Sequence, residues 1–310
     1  MVVRAAPIAP PNPLASRPPP VPSLSIDPDT SLGAVALTVA DLDRTRAFYE
    51  RALGLRVLER SGNTVELGVE PARTLVELVG DPDAPPRPRH STGLFHLALL
   101  VPNRAGLART LRRVTEAGWR FTGASDHLVS EALYLDDPEG NGIEIYRDRP
   151  RREWRYANGA LLMATEPFDL DGVMGEEPGG TPDEGLAPGT RVGHVHLQVS
   201  DLAAAEAFYH DLLGFEVSVR GYPGALFVSA GGYHHHVGLN TWAGPGAPAP
   251  PDGSRGLRRF EVVLPGAEAL ARVTQRLQAA RVETRRGEAG GVLLVDPAGN
   301  RVALRVADSR

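Results

Sequence analysis

The chain has 310 residues, 42% hydrophobic and 23% charged, which is enough to bury a sizeable core and long enough for two domains. A net charge of -5 without a basic, aromatic-interleaved cluster speaks against nucleic acid as a partner, and no run approaches the ~20 apolar residues of a membrane span. The absence of cysteine excludes disulfides, thiolate nucleophiles and cysteine-ligated zinc, so any metal site must draw on histidine and carboxylate.

Residues 1–30 are rich in proline and poor in periodic apolar residues, which predicts a flexible or polyproline-like tail outside the fold. Proline also breaks any apolar stretch a secretion signal would need, so the expected location is cytoplasmic. From Gly33, "GAVALTVADLDRTRAFYERALGLRV" predicts a strand, a "DL" turn, an amphipathic helix ending in "FY" and an "LG" stop. From Gly93, "GLFHLALLVPNRAGLARTLRRVTEAG" predicts a strand, a loop with proline and a second amphipathic helix, followed by short strands and a "DPEGNG" turn at 137–142. A connector, residues 149–188, comes next. The first pattern then returns from Gly193 as "GHVHLQVSDLAAAEAFYHDLLGFEV", and the second from Gly256, with "DPAGN" at 296–300. This duplication predicts four β-α-β-β-β units over roughly 32–80, 92–148, 190–242 and 255–308. They divide into an N-terminal domain, 31–148, and a C-terminal domain, 189–310.

The four units resemble the paired modules of the vicinal-oxygen-chelate superfamily of glyoxalases, bleomycin-resistance proteins and extradiol dioxygenases. Through "GLFHLAL", "SEALYLDDPEGNGIEIYRDRPR", "GHVHLQVSDL" and "SAGGYHHHVGLNTWAG", the chain is most similar to two-domain bacterial catechol-2,3-dioxygenases. "GHVHL" and "DPEGN" are common across the superfamily, whereas "YHHHVGLNTWAG" is more specific. The resemblance implies an α+β fold: four βαβββ modules forming paired, curved mixed β-sheets with helices outside.

Side chains alternate across a strand, so comparing the copies separates core from cavity. In unit three Val195, Leu197 and Val199 share one face and His194, His196 and Gln198 the other. The matching residues of unit one are Val35, Leu37 and Val39 against Ala34, Ala36 and Thr38. Only the second face turns imidazole-rich, and unpaired polar groups on a buried face cost free energy unless they bind something. In unit two Phe95, Leu97 and Leu99 alternate with His96, and Ile143 and Ile145 flank Glu144. Arg259 and Ala303 occupy the matching positions of unit four, where neither serves as a ligand; in unit one they are Ala34 and Glu77.

His96, Glu144 and His194 remain. Two imidazoles and one carboxylate form the facial triad of non-haem Fe(II) oxygenases, with open positions for a bidentate catecholate and O2. The resemblance implies the same ligand set, with one departure. Better-known two-domain extradiol enzymes keep all three ligands in the C-terminal half, whereas here they come from units two and three, within one chain or between subunits. The blander alternatives are a hydrogen-bonded core histidine for His96 and a pairing of Glu144 with Arg147 or Arg149.

"YHHHVGLN" is expected in the last strand of unit three, with one imidazole in acid/base work. The family's spacing selects His235 and implies a local bulge, while strict alternation from Gly238 selects His234 and His236; His236 is the reserve. By resemblance, Tyr134 hydrogen-bonds the metal-bound substrate oxygen; His127, His196 and His236 are expected to border the substrate. The implied activity is an extradiol ring cleavage of catechol or a substituted catechol. Its cofactor is Fe2+, with Mn2+, Zn2+ or Ni2+ as alternatives, and its partners are a small aromatic diol and O2; a homo-oligomer is left open. A glyoxalase-like isomerase is the first alternative, but such sites carry a fourth ligand where this chain has Gly238 or a histidine. The second, a bleomycin-resistance-like binding protein, needs no triad.

Overall fold

A computed structural model describes residues 25–71, 73–157, 159–176, 185–287 and 290–308. Most of the expected proline-rich tail and residues 177–184 of the connector lie outside the described residues. Unit one consists of β1 (Ser31–Val39), α1 (Leu42–Phe48), β2 (Arg56–Ser61), β3 (Thr64–Gly68) and β4 (Thr74–Gly80). Unit two runs β5 (Gly93–Leu100), α2 (Arg104–Glu116), β6 (Gly123–Asp126), β7 (Ser130–Asp136) and β8 (Gly142–Asp148). The connector carries the short strands β9 (Tyr156–Ala157) and β10 (Ala160–Leu161) and a helix, α3 (Leu170–Gly175). Unit three is β11 (Arg191–Gln198), α4 (Leu202–Glu206), β12 (Glu216–Val219), β13 (Ala225–Ser229) and β14 (Val237–Asn240). Unit four is β15 (Gly256–Leu264), α5 (Ala267–Ala279), β16 (Arg285–Arg286), β17 (Val292–Val295) and β18 (Arg301–Val306).

The "DL" turns act as helix caps. Asp41 and Asp201 accept the backbone N–H of Arg44 and Ala204, satisfying donors that the first helical turn leaves free. Both helices then widen into a π-helical turn, at Tyr49–Leu53 and Ala207–Leu212, which turns Phe48, Tyr49, Phe208 and Tyr209 inward.

Two eight-stranded mixed sheets result, ordered β16-β17-β18-β15-β1-β4-β3-β2 and β12-β13-β14-β11-β5-β8-β7-β6. Each takes one unit from either side of the connector. Units one and four meet at an antiparallel seam between β1 and β15, and units two and three at a seam between β5 and β11. The apolar faces of both sheets join the helices in one continuous core that includes Val35, Leu37, Leu97, Leu99, Val195 and Leu197.

Two buried hydrogen bonds tie the sheets together. Tyr49 in unit one donates to Asp137 in the "DPEGN" turn of unit two at 3.3 Å, and Tyr209 in unit three donates to Asp296 in the "DPAGN" turn of unit four at 3.0 Å. Burial raises the Asp137 carboxyl to about 6, against the opposing effect of its bonds from Asn141, Glu139 and Tyr49, and raises Asp296 in the same direction. The repeated "FY" and "DPxGN" strings are therefore two halves of one clasp. Tyr209→Phe leaves a buried carboxyl oxygen short of a donor, and urea unfolding should show a loss of about 1–3 kcal/mol.

Candidate metal centre

The β5–β11 seam sets the site. His96 lies opposite His196, and Ala98 lies opposite His194. On the other side of β5, the parallel strand β8 places Glu144 beside Ala98, so carboxylate, small residue and imidazole form a row across three strands. The Glu144 Oε2 atom stands 2.9 Å from His96 Nε2 and 3.0 Å from His194 Nε2. All three side chains are buried, and their ligand atoms lie within 4.8 Å of one another, the only such group among the described residues.

Electrostatics and hydrogen bonding suit a cation. Burial works to raise the Glu144 carboxyl, yet the His194 and His96 imidazoles hold it well below the usual carboxylate range. Burial lowers His194 to about 4 against the opposing pull of Glu144, which leaves a neutral ring with a lone pair. His96 Nε2, although 2.9 Å from Glu144 Oε2, is a buried atom without a hydrogen-bond partner. A divalent ion fits this donor set. The alternative pairing of Glu144 does not occur: Arg147 and Arg149 bind Glu131, at 2.7 and 3.3 Å, and Arg149 also holds Asp126.

Further expected residues gather round the triad. Tyr134 on β7 is directly opposite Glu144, and its phenol is pushed well above its ordinary value by burial and by the Glu144 charge. His127, in the β6–β7 turn, donates from Nδ1 to the Ala164 carbonyl at 2.7 Å, which leaves Nε2 to accept the Tyr134 hydroxyl at 2.6 Å. His196 and His235 line the same cavity.

The histidine run departs from expectation. It is not part of a strand, because β14 begins only at Val237. Gly231 and Gly232, at φ +59° and +66°, make a left-handed turn before it, and an L side chain at Gly231 would strike the Pro28 carbonyl. Neither strict alternation nor a bulge therefore applies. His235 faces the cavity, His234 turns toward Asp148, and His236 accepts the Ala230 N–H at 3.1 Å and packs on Phe215 and Tyr233. His236, expected as the reserve acid/base and as a substrate contact, is not among the residues that line the cavity.

Several cavity residues escaped the sequence reading. Phe95 was assigned to the apolar face with Leu97, but Leu197 pairs with Leu94 while His196 pairs with His96, so Phe95 is the extra residue of a bulge and turns toward the cavity. There it meets Trp242 and His196 with ring centroids 5.1 and 5.2 Å apart. Phe227 and Tyr222 add to this wall, and Met163, Ala164 and Thr165 of the connector close another. The cavity measures about 500 Å³, within the range of small-molecule sites. Trp242 was legible as part of "LNTWAG"; Met163 to Thr165 carried no signal.

The Glyoxalase/Bleomycin resistance protein/Dioxygenase superfamily matches residues 31–145 and 191–304. The chain belongs to this superfamily. It is 46% identical over 258 residues to catechol-2,3-dioxygenase of Bacillus subtilis (strain 168), covering 82% of this chain and 90% of that protein. Biphenyl-2,3-diol 1,2-dioxygenase of Pseudomonas sp. (strain KKS102) is 25% identical over 69% of this chain and 68% of its own length. Glyoxalase I from Zea mays shares the fold, with TM-score 0.54 and 16% identity over 89% of this chain and 92% of that one.

In the superfamily's modular terms, the other sheet carries a matching but different centre. Arg259, at the position of His96, makes a two-pronged ion pair with Glu77 at 3.0 and 2.7 Å. A guanidinium carries no lone pair to offer a metal, so this centre is closed by its own charges. In the triad's sheet the position equivalent to Glu77 is Gly238, opposite His196, and a Cβ there would press into the His196 ring at 2.9 Å. Metal analysis of protein reconstituted with Fe2+ should give one ion per chain. Glu144→Ala should lower this to background while leaving the far-UV circular dichroism unchanged.

Proposed function

We propose that the protein is an Fe(II)-dependent extradiol dioxygenase that opens the ring of catechol or a substituted catechol to a 2-hydroxymuconic semialdehyde-type product. The observation that carries this reading is the convergence of His96, Glu144 and His194 on one side of an aromatic-walled cavity, in a chain similar over most of its length to a catechol-2,3-dioxygenase. Bound there, Fe(II) would supply a centre where diol and O2 meet side by side; Mn2+ would serve the same donor set. Both oxygen atoms enter the product as the ring bond beside the diol breaks, so no further reductant is needed.

The chain's own groups divide the remaining work. His235 takes a diol proton and returns it as the ring opens. Tyr134, its hydroxyl hydrogen aimed at His127, presents its oxygen to the substrate diol. Phe95, Trp242 and Phe227 hold the ring by edge-to-face packing and keep water out. A glyoxalase-like isomerase finds less support, because the position for a fourth ligand is Gly238, overlain by the His196 ring.

The cavity also speaks to substituents. The chain contains no lysine, and among the described residues no arginine lines this wall, whose acidic members are Asp136 and Glu144. A carboxylated substituent would lose its hydration there without gaining a counter-charge. Anaerobically reconstituted protein should consume O2 with catechol and form a yellow product. Isomerisation of a hemithioacetal without O2 uptake would overturn the assignment. His235→Ala should keep its metal and lose about 10²–10⁴ in kcat. The methyl ester of 3,4-dihydroxyphenylacetate should exceed the free acid in kcat/KM by roughly tenfold or more.

A further inference from the structure

His234 contributes nothing to the cavity wall, yet it is fully buried and hydrogen-bonded through both ring nitrogens. Its Nε2 lies 2.9 Å from Asp148 Oδ1, and its Nδ1 lies 2.7 Å from His235 Nδ1. A carboxylate only accepts, so His234 carries its hydrogen on Nε2. Its Nδ1 is then a lone pair, and the contact with His235 is a hydrogen bond when His235 carries its own hydrogen on Nδ1. The remaining nitrogen of His235, Nε2, is left as an acceptor on a ring that lines the cavity. Asp148 is itself fixed: Tyr233 donates to Oδ1 at 3.1 Å, and Tyr146 is bonded to the Tyr233 hydroxyl at 2.8 Å. The Asp148 side chain is 26% exposed, so this line of groups runs from the cavity to the protein surface.

We infer that His234 and Asp148 are positioning residues: together they hold His235 in the single tautomer whose Nε2 accepts a proton from the substrate. The role assigned to that proton rests on the ring-cleavage reading; the tautomer rests on the hydrogen bonds alone. The arrangement follows the logic of a base oriented by a second group and steadied by a third. It also accounts for all three histidines: one faces the substrate, one orients it, and His236 fastens the preceding turn.

The test uses full-length protein with ¹⁵N-labelled histidine, loaded with Zn2+ to keep the spectrum diamagnetic. Two-bond ¹⁵N–¹H correlation should show His235 with its hydrogen on Nδ1, and His234→Phe should remove that signature. In the Fe2+-loaded protein, His234→Phe should lower kcat by about 10²-fold while KM and metal content change by less than about threefold. His234→Asn, whose amide oxygen still accepts from His235 Nδ1, should recover most of the loss, which a packing role would not produce. A wild-type spectrum with the His235 hydrogen on Nε2, or a wild-type kcat in His234→Phe, overturns the inference. The wild-type spectrum needs no variant to fold. If the wild-type protein consumes no O2 with any catechol, the ring-cleavage reading fails, and the spectrum still decides the tautomer.

Discussion

The seam between β5 and β11 is the constraint on which the site depends. Its two faces have opposite energetic signs. On one, Leu97, Leu99, Val195 and Leu197 enter the common core, each stabilising the pairing by roughly 1.5–3 kcal/mol of burial. On the other, Glu144 and several imidazoles are taken out of water, which costs free energy until a cation joins them. Register is the link between the faces. A slip of one residue would carry the apolar set to the cavity and the triad to the core, so the hydrophobic pattern that fixes the pairing also fixes the geometry of the triad.

Around that seam, orientation is supplied by groups outside the triad. The Ala164 carbonyl, on the connector, determines which His127 nitrogen faces Tyr134. Asp148, at the far end of β8 from the cavity mouth, is joined through His234 to His235. Glu131, enclosed by Arg104, Arg147 and Arg149, pairs with those guanidiniums, and strand alternation sets Arg147 on the face of β8 opposite Glu144.

The sequence revealed the modules, because strands and caps are local and the duplication supplied an internal control. Comparing His194 with Ala34, and Glu144 with Ala303, isolated the triad without coordinates. What stayed hidden was non-local or dependent on backbone detail. Phe95 reads as a core residue under strict alternation, and only the offset pairing of Leu94 with Leu197 turns it round. The histidine run reads as strand, but two left-handed glycines convert it to a turn that splits three neighbours among three directions. The clasp between Tyr209 and Asp296 joins residues 87 apart, a separation no periodicity can reach. The ion pair of Glu77 with Arg259 likewise required knowing that units one and four share a sheet.

The ligands are split by the connector, and that split has a temporal side. His194 follows Glu144 by 50 residues, so a ribosome releases two ligands well before the third. Until unit three leaves the exit tunnel and zips onto β5, the emerging polypeptide displays an unfinished edge with one imidazole and one carboxylate. Such a pair holds a divalent ion weakly. On the metal reading proposed above, translation order would postpone tight capture of an ion until β11 has paired with β5.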